Sequence, residues 1–399
     1  MLTSGQMERY AGVLMWGLAT ARGRRCKKGD IVLIRADERA LPLAERVYEL
    51  VVEMGCHPVM RVTLTPVMER AFYGKSSTSQ LVFCTPGERE LFSSLNGLVT
   101  IRAPESITHL ADVRPERIAK ATLARKYLND ILDEREAKGL FGWTLCLYPT
   151  QELARHAGMS IEEYTGQIVD ACRLDVDDPV AWWKETYGQA QEIKRWLNGM
   201  KIKRLFVQSD TTDLVVTPGA SRKWVGISGH NIPSFEIFVS PDWRGTSGRF
   251  YADQPSYRSG NYVKGVELEF DRGVVVKARA RDGEEFLLKQ IAMDRGASRL
   301  GEFSLTDRRF SRINAFMANT LYDENYGGEH GNCHIALGDS YADTYDGDAS
   351  LLSPQKKRSL GFNDSALHWD LVNTERKRVT AELGDGKRVT IYEDGVFSC

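Results

Sequence analysis

Several common catalytic signatures are missing from this sequence. No G-x-G-x-x-G follows a strand-like run and no G-x-x-x-x-G-K-[ST] occurs, so a dinucleotide or P-loop site has no support. There is no H-E-x-x-H, which excludes the thermolysin-type zinc helix, and no G-x-S-x-G, which excludes the serine-hydrolase elbow. The seven cysteines are scattered, odd in number and include no C-x-x-C, so neither a zinc ribbon nor a disulfide framework is encoded. No apolar run approaches the roughly 20 residues of a membrane span. Net charge is only −1, too small for a global field that would recruit nucleic acid or an anionic membrane. Near the start, Glu8 interrupts the apolar stretch and the arginines come late, the reverse of a secretory leader. A reducing cytoplasm is the expected compartment.

What is present is an ordinary globular composition, 42% apolar and 27% charged, over 399 residues. That length predicts two domains or one large one with insertions. Residues 4–22 have helical spacing, and "DIVLIRAD", "HPVMRVTL", "LVTIRA" and "WTLCLYP" read as strands. Helical patterns separate them, among them "PLAERVYELVVEMG" and a long stretch across 114–138. Such alternation predicts a Rossmann-like parallel sheet with flanking helices. Residues 151–200 read as helical. From about 202 the texture turns to short alternating segments broken by Gly and Asp, with helices expected near 284–294 and 307–319. The expected organisation is an α/β domain over 1–200 and an α+β domain rich in antiparallel strands over 201–399.

Chemistry concentrates in the second half. "SALHWDLV" places His368 and Asp370 two residues apart in an apolar strand, hence on one face, with Trp369 on the other. The pair fits either a metal ion or a satisfied His–Asp hydrogen bond. His334 in "CHIALGD" sits in a second strand-like apolar run. Cys333 beside it faces the opposite way, so the two do not form a dyad. Glu236 interrupts "IPSFEIFVSP" and Glu302 interrupts "SRLGEFSL". A carboxylate in such surroundings must be paired, hydrogen-bonded or metal-bound. Histidine with carboxylate suits zinc, cobalt, manganese or iron rather than calcium. Asp343, Asp346 and Asp348 read as solvated loop acids, and Glu267 and Glu269 as the outer face of a half-solvated strand.

These segments, in this order, resemble the aminopeptidase T, aminopeptidase S and aminopeptidase II family of metallo-aminopeptidases. "NIPSFEIFVSP" resembles its N-x-P-x-G-E-x-F segment and "RLGEFSL" its L-G-E-F/L turn. "LYDEN…CHIALGDSY" resembles its D-E-N/K…H-x-A-x-G-x-x-Y block, and "SALHWDLV" its S-x-x-H-x-D strand. "PLAERVYE" and "WTLCLYPT" extend the likeness into the first half. The resemblance implies Glu236, Glu302, His334, His368 and Asp370 as metal ligands, Glu324 as a further acidic position near the metals, and Tyr341 as the catalytic tyrosine. Two departures stand out: Phe235 replaces the glycine before the first glutamate, and the link "ENYGGEHGNCH" is longer than usual. The longer link leaves Glu329 and His330 as alternatives to Glu324.

The resemblance further implies two divalent ions (Zn, Co, Mn or Mg) bridged by Glu302, a two-metal-activated water, and Tyr341 donating to the oxyanion. Glu302 or Glu324 would move the proton. Substrates would be short peptides losing their N-terminal residue, and the expected assembly is a homodimer. Two other readings remain open. His334, His368 and Asp370 alone make a 2-His-1-carboxylate set for mononuclear iron(II), as in the ring-opening dihydroxypyridine dioxygenases that resemble this family. A non-catalytic metal-binding homologue is the other.

Overall fold

The computed structural model describes residues 1–399. Two compact units form. One comprises Met1–Tyr187, Ile227–Ser234 and Met317–Leu321, the other Gly188–Gly226, Phe235–Phe316 and Tyr322–Cys399. No helix is long and apolar enough to cross a membrane.

The first unit is built on a parallel sheet of β1 (Ile31–Ala36), β2 (His57–Val62), β3 (Gly97–Arg102), β4 (Gly142–Leu147) and the short strand Asn231–Ile232. Their order is β2-β1-β3-β4 followed by the short strand. β1 and β3 lie inside the sheet, which is why they read as near-continuous apolar runs. Helix Ser4–Ala21 starts with a capping box between Thr3 and Gln6, and the Tyr10 hydroxyl donates to the Leu147 carbonyl at 3.1 Å, docking the helix on β4. Helix Leu41–Glu53 carries Pro42 in its first turn and buries Leu43, Val47 and Val51, an i, i+4, i+8 stripe. Gly55, at φ 72°, ends that segment in the left-handed region. The expected α/β architecture is present.

The second unit contains a nine-stranded sheet and a five-stranded one. In the larger, the long hairpin Asn261–Asp271 and Val274–Asp282 is antiparallel, and Glu267 and Glu269 point to solvent as expected. The smaller holds the short strand Val225–Gly226, β5 (Glu236–Val239), β6 (Leu300–Thr306), β7 (Asn332–Gly338) and β8 (His368–Asn373). It runs β8-β7-β6-β5 and then the short strand, antiparallel throughout. β6 and β7 are buried along their whole length. Ile237, Phe303, Leu305, Ile335, Trp369 and Leu371 all lie on one face of this sheet. They join a core shared with Leu205, Val207, Phe250 and Leu268 of the larger sheet. Burying such side chains stabilises the fold by about 1.5–3 kcal/mol each, and Cys333 is buried among them.

The helix Glu284–Ile291 matches expectation. The helix expected across 307–319 does not form. Polar side chains there bond to local backbone instead: the Asp307 carboxylate accepts from the Arg309 amide at 2.9 Å, and the Ser311 hydroxyl donates to the Asn325 carbonyl. Those bonds compete with the helical ladder.

Candidate metal centre

Strand register gathers the polar residues of the small sheet on the face opposite its core. Glu236 lies opposite Thr306, and Phe238 opposite Ser304. Ser304 lies opposite His334, and Glu302 opposite Ala336. Across β7, Ala336 lies opposite Asp370, His334 opposite Val372 and Gly338 opposite His368. Because side chains alternate with period two, Glu236, Glu302, His334, His368 and Asp370 share one surface. Ala336 stands between the two carboxylate positions and offers only a methyl group.

A β-bulge interrupts β6 between Leu300 and Glu302. Gly301 is the extra residue, and a Cβ there would lie 2.1 Å from the Asp339 carbonyl oxygen, so only glycine fits. The bulge re-aims Glu302 toward both histidines. Its Oε1 is 3.1 Å from His334 Nε2 and its Oε2 is 4.0 Å from His368 Nε2. His334 Nε2 also meets Glu236 Oε2 at 3.2 Å, and His368 Nε2 meets Asp370 Oδ1 at 3.3 Å. The result is two groups with metal-ligating geometry, Glu236–Glu302–His334 and Glu302–His368–Asp370. Glu302 belongs to both. The two histidines fall in different groups, which disfavours a single 2-His-1-carboxylate centre.

The electrostatics are those of crowded carboxylates in a buried space. Burial pushes Glu302 up to about 7, with Glu236 adding to the rise and His334 opposing it. Burial would lower the His334 imidazole, but its bonds to Glu236 and Glu302 overcome that and raise it well above the usual value. His368 is likewise carried against its burial to about 9, mainly by Asp370. Asp370 is held down at about 2 by His368 in spite of its own burial. A divalent cation suits this donor set: it would relieve the repulsion among the acids and accept the imidazole nitrogens aimed at them. His368 Nδ1 is fixed by the Asp339 carbonyl at 3.1 Å, leaving Nε2 for the site.

Glu324 lies outside both groups. It is buried, and its proton is held well above the usual carboxylate range by burial and by the charges of Asp370, Glu236 and Glu302. Glu329 is solvated instead, its side chain 85% exposed, with His330 beside it at 3.8 Å. Phe235, in the place of the expected glycine, is fully buried and donates its amide to Asn325 Oδ1 at 2.5 Å. The Tyr341 ring stacks against His368, centroids 4.7 Å apart, and meets Phe238 edge-on at 5.9 Å. Burial raises its hydroxyl well above the usual value, and the charges of Glu302 and Asp370 raise it further. Asp346 and Asp348 are exposed, as read from the sequence. Sequence reasoning missed Ser304, whose hydroxyl donates to Glu236 Oε2 at 3.4 Å, although its place two residues after Glu302 was a signal. It also missed Arg258, which has no such signal.

A buried acid–histidine cluster of this kind is the site of a metal-dependent enzyme class. The chain belongs to the thermophilic metalloprotease (M29) family, whose model it matches over residues 3–397, and is a peptide-bond hydrolase. It is 28% identical to aminopeptidase 2 of Geobacillus stearothermophilus, covering 98% of this chain and 97% of that one. It is 30% identical to aminopeptidase T of Thermus aquaticus over 72% of each chain. The solved structure of wild-type AmpT from Thermus thermophilus shares the fold, with a TM-score of 0.79 at 22% identity over 98% of this chain and 99% of that chain.

Proposed function

We propose that the protein is a two-metal aminopeptidase that releases N-terminal residues from short peptides, with 201–399 as its metal-binding catalytic domain. The observation that carries this reading is the membership of Glu302 in both ligand groups, the arrangement a bridging carboxylate needs. Glu236 and His334 would complete one position, His368 and Asp370 the other. When bound, the two ions supply Lewis acidity and an activated water at neutral pH. Tyr341, kept protonated by its surroundings, donates a hydrogen bond to the carbonyl oxygen as negative charge develops there. Such a donor contributes about 2.7–4 kcal/mol. Glu324, outside both groups, is the acid that passes a proton to the leaving amine, with Glu302 as the other candidate. The physiological ion is one of Zn, Co, Mn or Mg. The relatives named as aminopeptidases support the same reaction. The reading extends to a cytoplasmic homodimer, on the pattern of unpaired cysteines and the family likeness.

Metal analysis of purified protein, combined with hydrolysis of aminoacyl-p-nitroanilides with and without chelator, tests the proposal. About two ions per chain and chelator-sensitive release are expected. No turnover over a broad substrate panel in added Zn²⁺, Co²⁺, Mn²⁺ or Mg²⁺ would sink it. One iron per chain would favour the dioxygenase reading.

A further inference from the structure

β8 is the edge strand of the small sheet, yet its outer side is covered. The segment 253–258 runs along it. The Thr374 amide donates to Asp253 Oδ1 at 2.7 Å, the Gln254 amide to the Val372 carbonyl at 3.3 Å, and Trp369 Nε1 to Ser256 Oγ at 2.9 Å. At the end of this segment Arg258 donates from a terminal guanidinium nitrogen to the His368 carbonyl at 2.7 Å. Its guanidinium carbon lies 5.6 Å from the centroid of the Trp369 ring. Its Nε is buried without a hydrogen-bond partner.

We propose that Arg258 is a positioning residue for the outer ligand group. Through the His368 carbonyl it pins the edge strand that carries His368 and Asp370 without touching substrate, so the ion held by Glu302, His368 and Asp370 depends on it and the ion held by Glu236, Glu302 and His334 does not. This inference rests on the two-metal reading. Losing such an outer support typically costs 10–100-fold in metal affinity.

The test is calorimetric titration of metal-free Arg258→Gln with Zn²⁺, paired with visible spectra of the Co²⁺-loaded protein. The expected result is one ion bound as in wild type and one bound roughly 10–100-fold more weakly, with the Co²⁺ bands of only one position altered. Arg258→Lys, which keeps a cationic donor for the His368 carbonyl, should recover most of the loss. Arg258→Met, which keeps the stem against Trp369, is read in the same way should the Gln variant not fold. Ser256→Ala removes a bond from the same segment but leaves the guanidinium, and should leave both affinities within about threefold, well below the roughly 10–100-fold loss quoted above. Two ions bound by the Gln or Met variant as in wild type overturns the inference alone, as does an equal loss in Ser256→Ala. A wild type that takes up a single ion overturns the two-metal reading and this inference with it.

Discussion

Glu236, Glu302 and His334 stand on inner strands of the small sheet, and the His334 side chain is fully closed off from solvent. His368 and Asp370 stand on its edge strand, with side chains 22% and 14% exposed, and Tyr341 beside them is 37% exposed. The donor chemistry of the two groups is nearly the same, one imidazole and two carboxylates each, with one carboxylate shared. Depth is what separates them. A ligand buried on central strands is held by packing on every side, whereas a ligand on an edge strand needs separate support and can exchange with solvent. The inner group should hold its ion tightly. The outer group should lose and regain its ion more readily.

The strongest attack on that contrast is Glu302→Gln, because the residue is common to both groups. Activity should fall by more than the roughly 10²–10³-fold that loss of an oxyanion donor costs, and metal content should drop at both positions; retention of either ion at wild-type affinity would contradict a shared ligand. Tyr341→Phe should reduce kcat by roughly 10²–10³-fold with both ions kept, checked by kinetics alongside metal analysis. Loss of metal in that variant would assign the tyrosine a different role.

A comparison of His334→Ala with His368→Ala sharpens the difference in depth. The first strips a partner from two buried carboxylates and should cost about 3–5 kcal/mol of stability in the metal-free protein. The second strips a partner from the single carboxylate of Asp370 on the part-buried edge strand and should cost less, about 1.5–3 kcal/mol, the range of a hydrogen bond to a charged group. Denaturant unfolding of the two variants measures this, and equal costs would erase the distinction. The remaining contrast is one of pH. Glu302, at about 7, and His368, at about 9, hold protons in the metal-free site that an incoming ion must displace. Below those values the protons compete with metal, so affinity should rise with pH up to about 9, more steeply below about 7 where both are held, by up to roughly tenfold per unit for each proton released. Titration in buffers of different ionisation heat counts those protons.

Much of this site was legible before any coordinates. The His368–Asp370 pair follows from strand period alone, and Trp369 is packed on the opposite face as that period requires. Glu236 and Glu302 stood out because carboxylates interrupt apolar runs, and both are indeed buried. What the sequence could not supply was register. Nothing local says that Ala336 faces Glu302 on one side and Asp370 on the other, or that a bulge at Gly301 turns Glu302 toward two histidines. Arg258 was invisible because its role depends on an edge strand more than a hundred residues away in the chain, as its bond to His368 shows. The missing helix at 307–319 has a similar cause: the apolar spacing was there, but Asp307 and Ser311 tie up the backbone through a partner in the following loop.

Ala336 gives the site a floor one methyl group thick. On that floor the gap between β6 and β8 is fixed by the backbone ladder, and the depth of the recess by a side chain that neither ligates nor reacts. Glycine there would deepen the recess, and valine would lift whatever rests on it toward the solvent. The room above that floor is thus adjustable from beneath, by a position outside both ligand groups.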